Sequence, residues 1–447
     1  MSSPRKPQVL KGFRDYLPEH MVLRQQVLNI IRSVFEKHGF EPLDTPALEY
    51  MEILTGKAGE NEKLMYHFRD QGDREIGLRY DLTVPLARVV AMHQNDLVMP
   101  FKRYHVAPVW RAEKPQRGRF REFWQCDADI VGSNAPLADA EAVNVLTDAL
   151  QQIGLGRAVV HINHRKLLEA LATIAGVPAD QAPTIYRSID KLDKIGRDGV
   201  LADLQRNGVS DDSANEILDI VTMTGTNDEL LDFAAGKLAS IPQGAQAVQE
   251  LRDLVDNIER LGVPKNMYMI DLALARGIDY YTGPVYEAQV EEPKVGSVAG
   301  GGRYDGLVGT FLGRDVPATG ISLGIERILE VIQEFDLLPA RKSVADAMMV
   351  YVEETLADAA ALARELRDEG IRVDQSIMTN KGIGSQLKYA DRRGIPFAVI
   401  LGADELARGE VSIKNLATGE QREVPRAVVT QELDMLLKDQ LTAVEGE

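Results

Sequence analysis

The chain has 447 residues, enough for two to four domains, and its 45% hydrophobic and 27% charged content allows each an ordinary core, which excludes a disordered, collagen-like or coiled-coil protein. Lys+Arg 51 against Asp+Glu 68 gives a formal charge of −17, so polyanions are repelled overall and any nucleic acid must meet a local basic patch. A single cysteine, Cys126, excludes an internal disulfide and a Cys-rich zinc site; the opening MSSPRKPQVLKGFRDY has no apolar core and no later run reaches 18 apolar residues, so a cytoplasmic location without a membrane span is expected.

In residues 21–38, Val22, Val27, Ile30, Ile31 and Val34 recur at three- and four-residue spacings, which predicts an amphipathic helix ended by Gly39. An extended stretch, GFEPLDTPALEY, follows. Strands are predicted around 76–79, 101–110, 120–130, 285–290 and 318–323, several of them antiparallel, and together they imply a large mixed sheet. Between about Leu167 and Val263 the texture changes to short helical runs rich in Asp, Ala and Leu, read as an insertion into the sheet domain. After the helix ERILEVIQEF, the run LLPARKS closes one domain. Strands DAMMVYV, IRVDQSI and PFAVILG then alternate with helices TLADAAALARELRDEG and SQLKYADRRG, a small α/β domain. The division expected is 1–166 and 264–340 for a split catalytic domain, 167–263 for the insertion and 343–447 for the C-terminal domain.

The chain has no GxxxxGK[ST] loop. GGGRYDGL, Gly300 to Leu307, is no dinucleotide fingerprint either, and by itself reads as a tight turn. His161 and His164 form an HxxH on a predicted strand. That spacing sends them to opposite faces, and no carboxylates or cysteines cluster nearby, so no metal site is expected. The stronger signal is the run from Arg111 to Glu122. Arg111, Glu113, Lys114, Arg117, Arg119 and Arg121 surround a Pro-Gln-Arg-Gly turn flanked by Trp110, Phe120, Phe123 and Trp124. Part of this is what any solvated hairpin tip shows. Arg111 and Arg121, however, sit at strand ends, where guanidinium groups can fork onto phosphate oxygens beside aromatic faces that can stack a base.

The order of these segments resembles a class II aminoacyl-tRNA synthetase. VFEKHGFEPLDTP, with Pro46, resembles motif 1. Arg111, Glu113 and Phe123 resemble motif 2. GISLGIER, with Gly320, Gly324, Glu326 and Arg327, resembles motif 3, Ser322 standing for its middle glycine. ARGIDYYTGPVYE and AGGGRYDGL resemble signatures of the histidyl-tRNA synthetase family, and LRYDLTVPLAR and REFWQCDADIVG resemble its histidine-pocket segments. The fold this implies is α+β: a class II synthetase catalytic domain with an antiparallel sheet and a helical insertion, plus a C-terminal α/β anticodon-binding domain.

The resemblance implies site residues as well. Arg111 would hold the ATP α-phosphate and the amino-acid carboxylate. Glu113 and Phe123 would read and stack the adenine, with Arg119 and Arg327 also at the nucleotide. Arg276 would be the catalytic arginine that supports charge on the α-phosphate. Asp81, Thr83 and Gln125 match the family's contacts to the histidine α-amino group. Asp129 and Tyr281 match its imidazole contacts, and Tyr304 lines the pocket. Asp129 is one methylene shorter than the glutamate of many bacterial members. Of the adjacent Tyr280 and Tyr281, read as lying on a strand, one must face away into the core, and Tyr281 is taken as the pocket residue. Lys114 and Gln116 would meet the tRNA acceptor end. ATP is implied as substrate with Mg2+, tRNA(His) and L-histidine as partners, and a homodimer through residues 21–50. Lys381, Lys388, Arg392 and Arg393 are basic candidates in the C-terminal domain that a solvated surface explains equally well. Two other readings stand beside this one: a non-catalytic regulatory paralogue, disfavoured by Arg111, Arg276, Arg327 and the α/β tail, and another class IIa synthetase, disfavoured by ARGIDYY and GGRYDGL.

Overall fold

The computed structural model describes residues 6–55, 59–178, 181–275, 280–339, 341–378 and 381–445. The chain divides into two compact units, Met1–Arg14 with Val27–Leu338, and Asp15–Gln26 with Pro339–Glu447. In the helix Pro18–Lys37 the buried stripe of the first unit is Val27, Leu28, Ile31, Val34 and Phe35, while Val22 and Ile30 are only half-buried. The stripe is rotated from the expected one because Leu28 and Phe35 give it more apolar area to bury. Phe35 meets the rings of Phe40 and Tyr104.

Of the extended stretch that follows, β1 (Glu41–Pro42) and β2 (Leu48–Tyr50) are strand and Pro46 lies in the loop between them. With β3 (His67–Arg69) and β4 (Glu75–Leu78), β2 forms a separate three-stranded sheet in the order β2-β4-β3, so the strand predicted at 76–79 is not part of the main sheet. That sheet has eight strands. Besides β1 it contains β5 (Phe101–Trp110), β6 (Glu122–Val131), β7 (Val159–His164), β8 (Tyr268–Ile270), β9 (Pro284–Gln289), β10 (Ala299–Arg303) and β11 (Ala318–Gly324). Their order is β1-β5-β6-β11-β10-β9-β7-β8. The pairs β1–β5 and β7–β8 are parallel, and the six strands from β5 to β7 are joined antiparallel.

The register matters most at β6. Across it Ala107, His105 and Arg103 of β5 stand opposite Gln125, Asp127 and Asp129, and on the other side stand Gly324, Ser322 and Gly320 of β11. Strand alternation therefore brings a block of polar side chains to one face. The helix Pro136–Gln152 covers the opposite face, where its Asp139 accepts from Tyr286 Oη at 3.1 Å and pairs with Arg303 Nη2 at 2.6 Å and Nε at 3.0 Å. Between β7 and β8, among the described residues, run six helices, from Arg165–Ile174 to Pro242–Arg260.

The second unit holds a five-stranded sheet of β12 (Ala347–Tyr351), β13 (Val373–Gln375), β14 (Phe397–Leu401), β15 (Glu410–Asn415) and β16 (Gln421–Pro425), ordered β13-β12-β14-β15-β16. The first three are parallel, as their alternation with helices Leu356–Asp368 and Ile383–Arg392 requires. Along β12, Ala347, Met349 and Tyr351 enter one core and Met348 and Val350 another, so both faces are covered. The antiparallel pair β15–β16 and the helix Val429–Glu445 complete the unit.

Candidate active site

A cleft of about 450 Å³ opens over the polar face of the main sheet. One wall is the hairpin of β5 and β6, held together where Arg111 N donates to Arg121 O at 2.9 Å. At its tip Gln116 and Arg119 exchange backbone hydrogen bonds, with Gly118 at φ 66°, a conformation that suits glycine. Arg111, Arg119 and Arg327 converge on this cleft. Arg111 lies over the rings of Tyr80, at 4.2 Å, and Phe123, at 5.0 Å, and donates Nε to Tyr80 O at 3.2 Å. Arg327 donates Nη1 to Ser297 O at 2.5 Å, and burial, with Arg119 and Arg111 nearby, holds its pKa below the ordinary arginine value. Cations gathered against their own repulsion are a site for an anion. Glu113, 3.8 Å from Arg119, and Glu287 also line the cleft.

A smaller, deeper pocket opens from the same place and shares Arg111, Gln125, Tyr280, Tyr281, Gly300 and Ser322 with the cleft. Asp81, Thr83, Asp127, Asp129 and Tyr304 belong to the deep part. Asp81 Oδ1 accepts the backbone N–H groups of Thr83 and Val84 at 3.1 and 2.9 Å, at the start of the helix Thr83–Met92. Burial raises its pKa against those bonds and the pull of Arg111. Gln125 Nε2 donates to Ser322 Oγ at 2.7 Å, which leaves its Oε1 without a hydrogen-bond partner. Asp129 pairs with Arg103 Nη2 at 2.8 Å and accepts from Tyr304 Oη. The floor is backbone: a Cβ on Gly301 would collide with the Gly320 carbonyl, and one on Gly320 with the Asp129 carboxylate. Arg111 at the mouth and carboxylates at depth suit a zwitterionic amino acid whose carboxylate points toward the cleft.

The comparisons with known proteins agree with this geometry. Residues 12–328 match the family model described as histidyl-tRNA synthetase, and residues 342–435 the one described as anticodon binding domain. The chain belongs to the histidyl-tRNA synthetase family. It is similar to the histidine–tRNA ligase of Aeropyrum pernix, 43% identical over 441 residues that cover 97% of this chain and 98% of that one. It is also similar to that of Gloeobacter violaceus, 39% identical over 94% and 97% of the two chains. Among solved structures, a histidyl-tRNA synthetase from a Nostoc species superposes with a TM-score of 0.88 at 34% identity, covering 97% of this chain and all of that one. A Bacillus halodurans structure, titled both as an ATP phosphoribosyltransferase regulatory subunit and as a histidyl-tRNA synthetase, has a TM-score of 0.77 at 23% identity, a likeness of fold alone.

Within this synthetase fold, the residues expected at the nucleotide, Arg111, Glu113, Arg119, Phe123 and Arg327, all line the cleft, and Asp81, Thr83, Gln125, Asp129, Tyr281 and Tyr304 all line the deep pocket. Lys114 and Gln116 are exposed on the hairpin tip. Arg276 lies outside the described residues. The tyrosines need correction: Tyr280 and Tyr281 precede β9 and are not on a strand, and both line the pocket, their rings edge to face at 4.8 Å. GGGRYDGL is likewise no tight turn. It is β10 running into the helix Asp305–Leu312, and its glycines serve close backbone approach. His161 and His164 do have carboxylate partners from distant segments, Asp271 at 2.8 Å and Glu250 at 2.6 Å, and among the described residues no three such groups gather to hold a metal. Ser322 is more than a tolerated substitution, because its Oγ accepts from Gln125 Nε2. Arg103 and Asp127 went unread as site residues; the i, i+2, i+4 spacing of Gln125, Asp127 and Asp129 on a strand was the signal that could have found Asp127. Among the described residues no helix is long and apolar enough to cross a membrane.

Proposed function

We propose that the chain joins L-histidine to tRNA(His) as a histidine–tRNA ligase, and that its two connected pockets divide the work. ATP occupies the cleft, its adenine against Phe123 and Glu113 and its phosphates among Arg111, Arg119 and Arg327. Histidine occupies the deep pocket, its ammonium against Asp81, Thr83 and the free Oε1 of Gln125. The observation that carries the reading is that Arg111 lines both. One guanidinium there can hold the histidine carboxylate and the α-phosphate together, so that the entropic cost of aligning them is met on binding. The carboxylate oxygen attacks the α-phosphorus, the bond to the bridging oxygen breaks, and pyrophosphate leaves with that electron pair. The 3′-terminal hydroxyl of the tRNA then attacks the histidyl carbonyl and AMP departs. From the sequence resemblance we assign Arg276 to the charge that develops on the α-phosphate.

Mg2+ accompanies the triphosphate as part of the substrate. Carboxylates of the kind Glu113 and Glu287 present, combined with phosphate oxygens and water, are the donors this ion takes. Residues 342–435 bind the anticodon region, Lys114 and Gln116 meet the acceptor end, two copies associate through residues 21–50, and the enzyme works in the cytoplasm. Pyrophosphate exchange over a panel of amino acids tests the reading. Exchange dependent on histidine is expected. Exchange with proline, threonine or glycine instead, or with no amino acid, would overturn it in favour of another class IIa synthetase or a regulatory protein.

A further inference from the structure

The hairpin of β5 and β6 is held by more than its own ladder. The last residues paired between the two strands are Trp110 and Glu122, and one more backbone bond, from Arg111 N to Arg121 O, closes the root. At that level each limb turns a backbone N–H to a segment outside the hairpin. Ala112 N donates to Leu64 O and Arg121 N to Gly12 O, both at 2.8 Å. Phe13 and Tyr66, close in sequence to those two acceptors, bring their rings to 6.1 Å. Residues 11–14 and 64–66 thus form a collar around the root, and all of them belong to the first unit.

Arg121 is the centre of this contact. Its place at a strand end suggests a guanidinium that forks onto phosphate, yet it is not among the residues that line the cleft, and its side chain is directed at backbone: Nε donates to Glu113 O at 3.1 Å and Nη1 to Lys11 O at 3.2 Å. One side chain therefore ties the opposite limb of the hairpin to residues 11–14. Gly12 is fitted to it. Its φ of 89° is a conformation that favours glycine, and a Cβ there would stand 2.8 Å from Arg121 Cδ and 2.8 Å from Pro115 Cγ. Arg14 completes the contact, its guanidinium 3.9 Å from the centroid of the Phe120 ring. The strap thus meets an arginine-rich hairpin with carbonyl oxygens and sets its own cation on an aromatic face, which attracts it. Glu113 and Phe120 line the cleft, and Arg111, bonded to Arg121, lines both the cleft and the deep pocket.

Resting on the assignment of ATP to the cleft, we propose that residues 11–14 are a positioning element of the nucleotide site. None of the four lines the cleft itself. The strap sets where Glu113 and Phe120 stand, and through Arg121 where Arg111 stands, before ATP arrives. Side chains held in this way need not be ordered by the substrate, so their loosening is felt as weaker use of ATP. Histidine has further supports of its own, Gln125 and Asp129 on β6 and Thr83 at the start of its helix, and depends less on the strap.

The test is steady-state pyrophosphate exchange by the full chain, with ATP and histidine varied in turn. Arg14→Ala, at an exposed position, takes the cation off Phe120 and should raise the KM for ATP about two- to fivefold, the worth of an exposed contact of this kind, with the KM for histidine changed by less than half as much. Arg14→Lys keeps a cation at the ring and should recover most of the loss. Gly12→Ala forces the strap away from Arg121 and should raise the KM for ATP roughly tenfold or more. If urea unfolding shows that Gly12→Ala has lost stability, the Arg14 pair decides alone. An unchanged KM for ATP in Arg14→Ala, equal rises for both substrates, no recovery in Arg14→Lys, or a stable Gly12→Ala chain with the wild-type KM for ATP would each overturn the proposal. The wild type in the same preparation separates the two readings: histidine-dependent exchange with the same ATP kinetics in every variant removes only the role of the strap, whereas a wild-type chain that neither exchanges nor binds ATP by calorimetry removes the nucleotide reading and this inference with it.

Discussion

Replacing Asp139 tests how the back of the main sheet holds the pocket in front. Arg303 makes four hydrogen bonds: two to Asp139, at 2.6 and 3.0 Å, one to Ser133 O at 3.1 Å and one to Asp305 Oδ1 at 3.2 Å. Arg303 is 8% exposed and Asp139 4%. Asp139→Leu leaves a guanidinium out of water with half its acceptors gone, a loss of about 3–5 kcal/mol by comparison with other broken buried pairs. The Tyr286 hydroxyl also loses its 3.1 Å acceptor, adding about 1 kcal/mol. Arg303→Met costs a similar amount by stranding the carboxylate. Putting both changes together removes both charges, so the double variant should recover most of the loss. The two tryptophans, Trp110 and Trp124, both lie on the hairpin of the same unit, so urea unfolding followed by their fluorescence reads this unit. At a slope of about 3 kcal/mol/M, a loss of about 4 kcal/mol moves the midpoint down by about 1.3 M in each single variant. The double variant should sit closer to the wild type than either. If it is as unstable as the sum of the singles, the pair is not a buried charge couple and the argument fails. Because β10 leads directly into Tyr304, which holds Asp129, the single variants should also raise the KM for histidine.

Phe123→Ala should raise the KM for ATP about fivefold or more, stacking of a base on an aromatic ring being worth about 1–3 kcal/mol, and steady-state exchange kinetics with each substrate varied would show whether the KM for histidine moves less. Lys114→Ala and Gln116→Ala should lower charging of tRNA while histidine-dependent exchange stays within about twofold, since both residues are exposed and neither lines the cleft; equal loss in both assays would place them in activation instead. The hydrogen bond from His164, then that from Lys166, pulls Glu250 down to about 2. A carboxyl depressed in the folded state stabilises above its unfolded pKa, about 4.3, and that support is lost as pH falls toward 2. Thermal unfolding in this window should therefore depend less on pH in Glu250→Gln than in the wild type.

The local sequence carried the catalytic hairpin well. Ten-residue strands on either side of a Pro-Gln-Arg-Gly turn, with arginines at their ends, have few ways to fold, and β5 and β6 follow from them. Alternation likewise displayed the parallel core of the second unit, because each strand there is bracketed by a helix. What was not legible depended on neighbours from far along the chain. Nothing near His164 in sequence announces Glu250, 86 residues on. The glycines of GGGRYDGL suggest a turn until β11 is laid beside them and the close contact of Gly301 with the Gly320 carbonyl gives a second reason for having no side chain. Tyr280 and Tyr281 were assigned to opposite faces from a strand period that stops short of them, at β9. Asp127 was hidden in plain view between two residues that family resemblance singled out.

The backbone floor of the deep pocket limits how this active site can change. Gly300, Gly301 and Gly320 leave peptide groups, not side chains, beneath the substrate. Mutation can reshape a wall by trading one side chain for another, but here any replacement at Gly301 or Gly320 strikes a carbonyl or a carboxylate that the sheet holds in place. Selection for a different amino acid must therefore act through the walls, at Gln125, Asp127, Tyr281 and Ser322. The depth of the pocket is inherited with the sheet, and only its lining is free to drift.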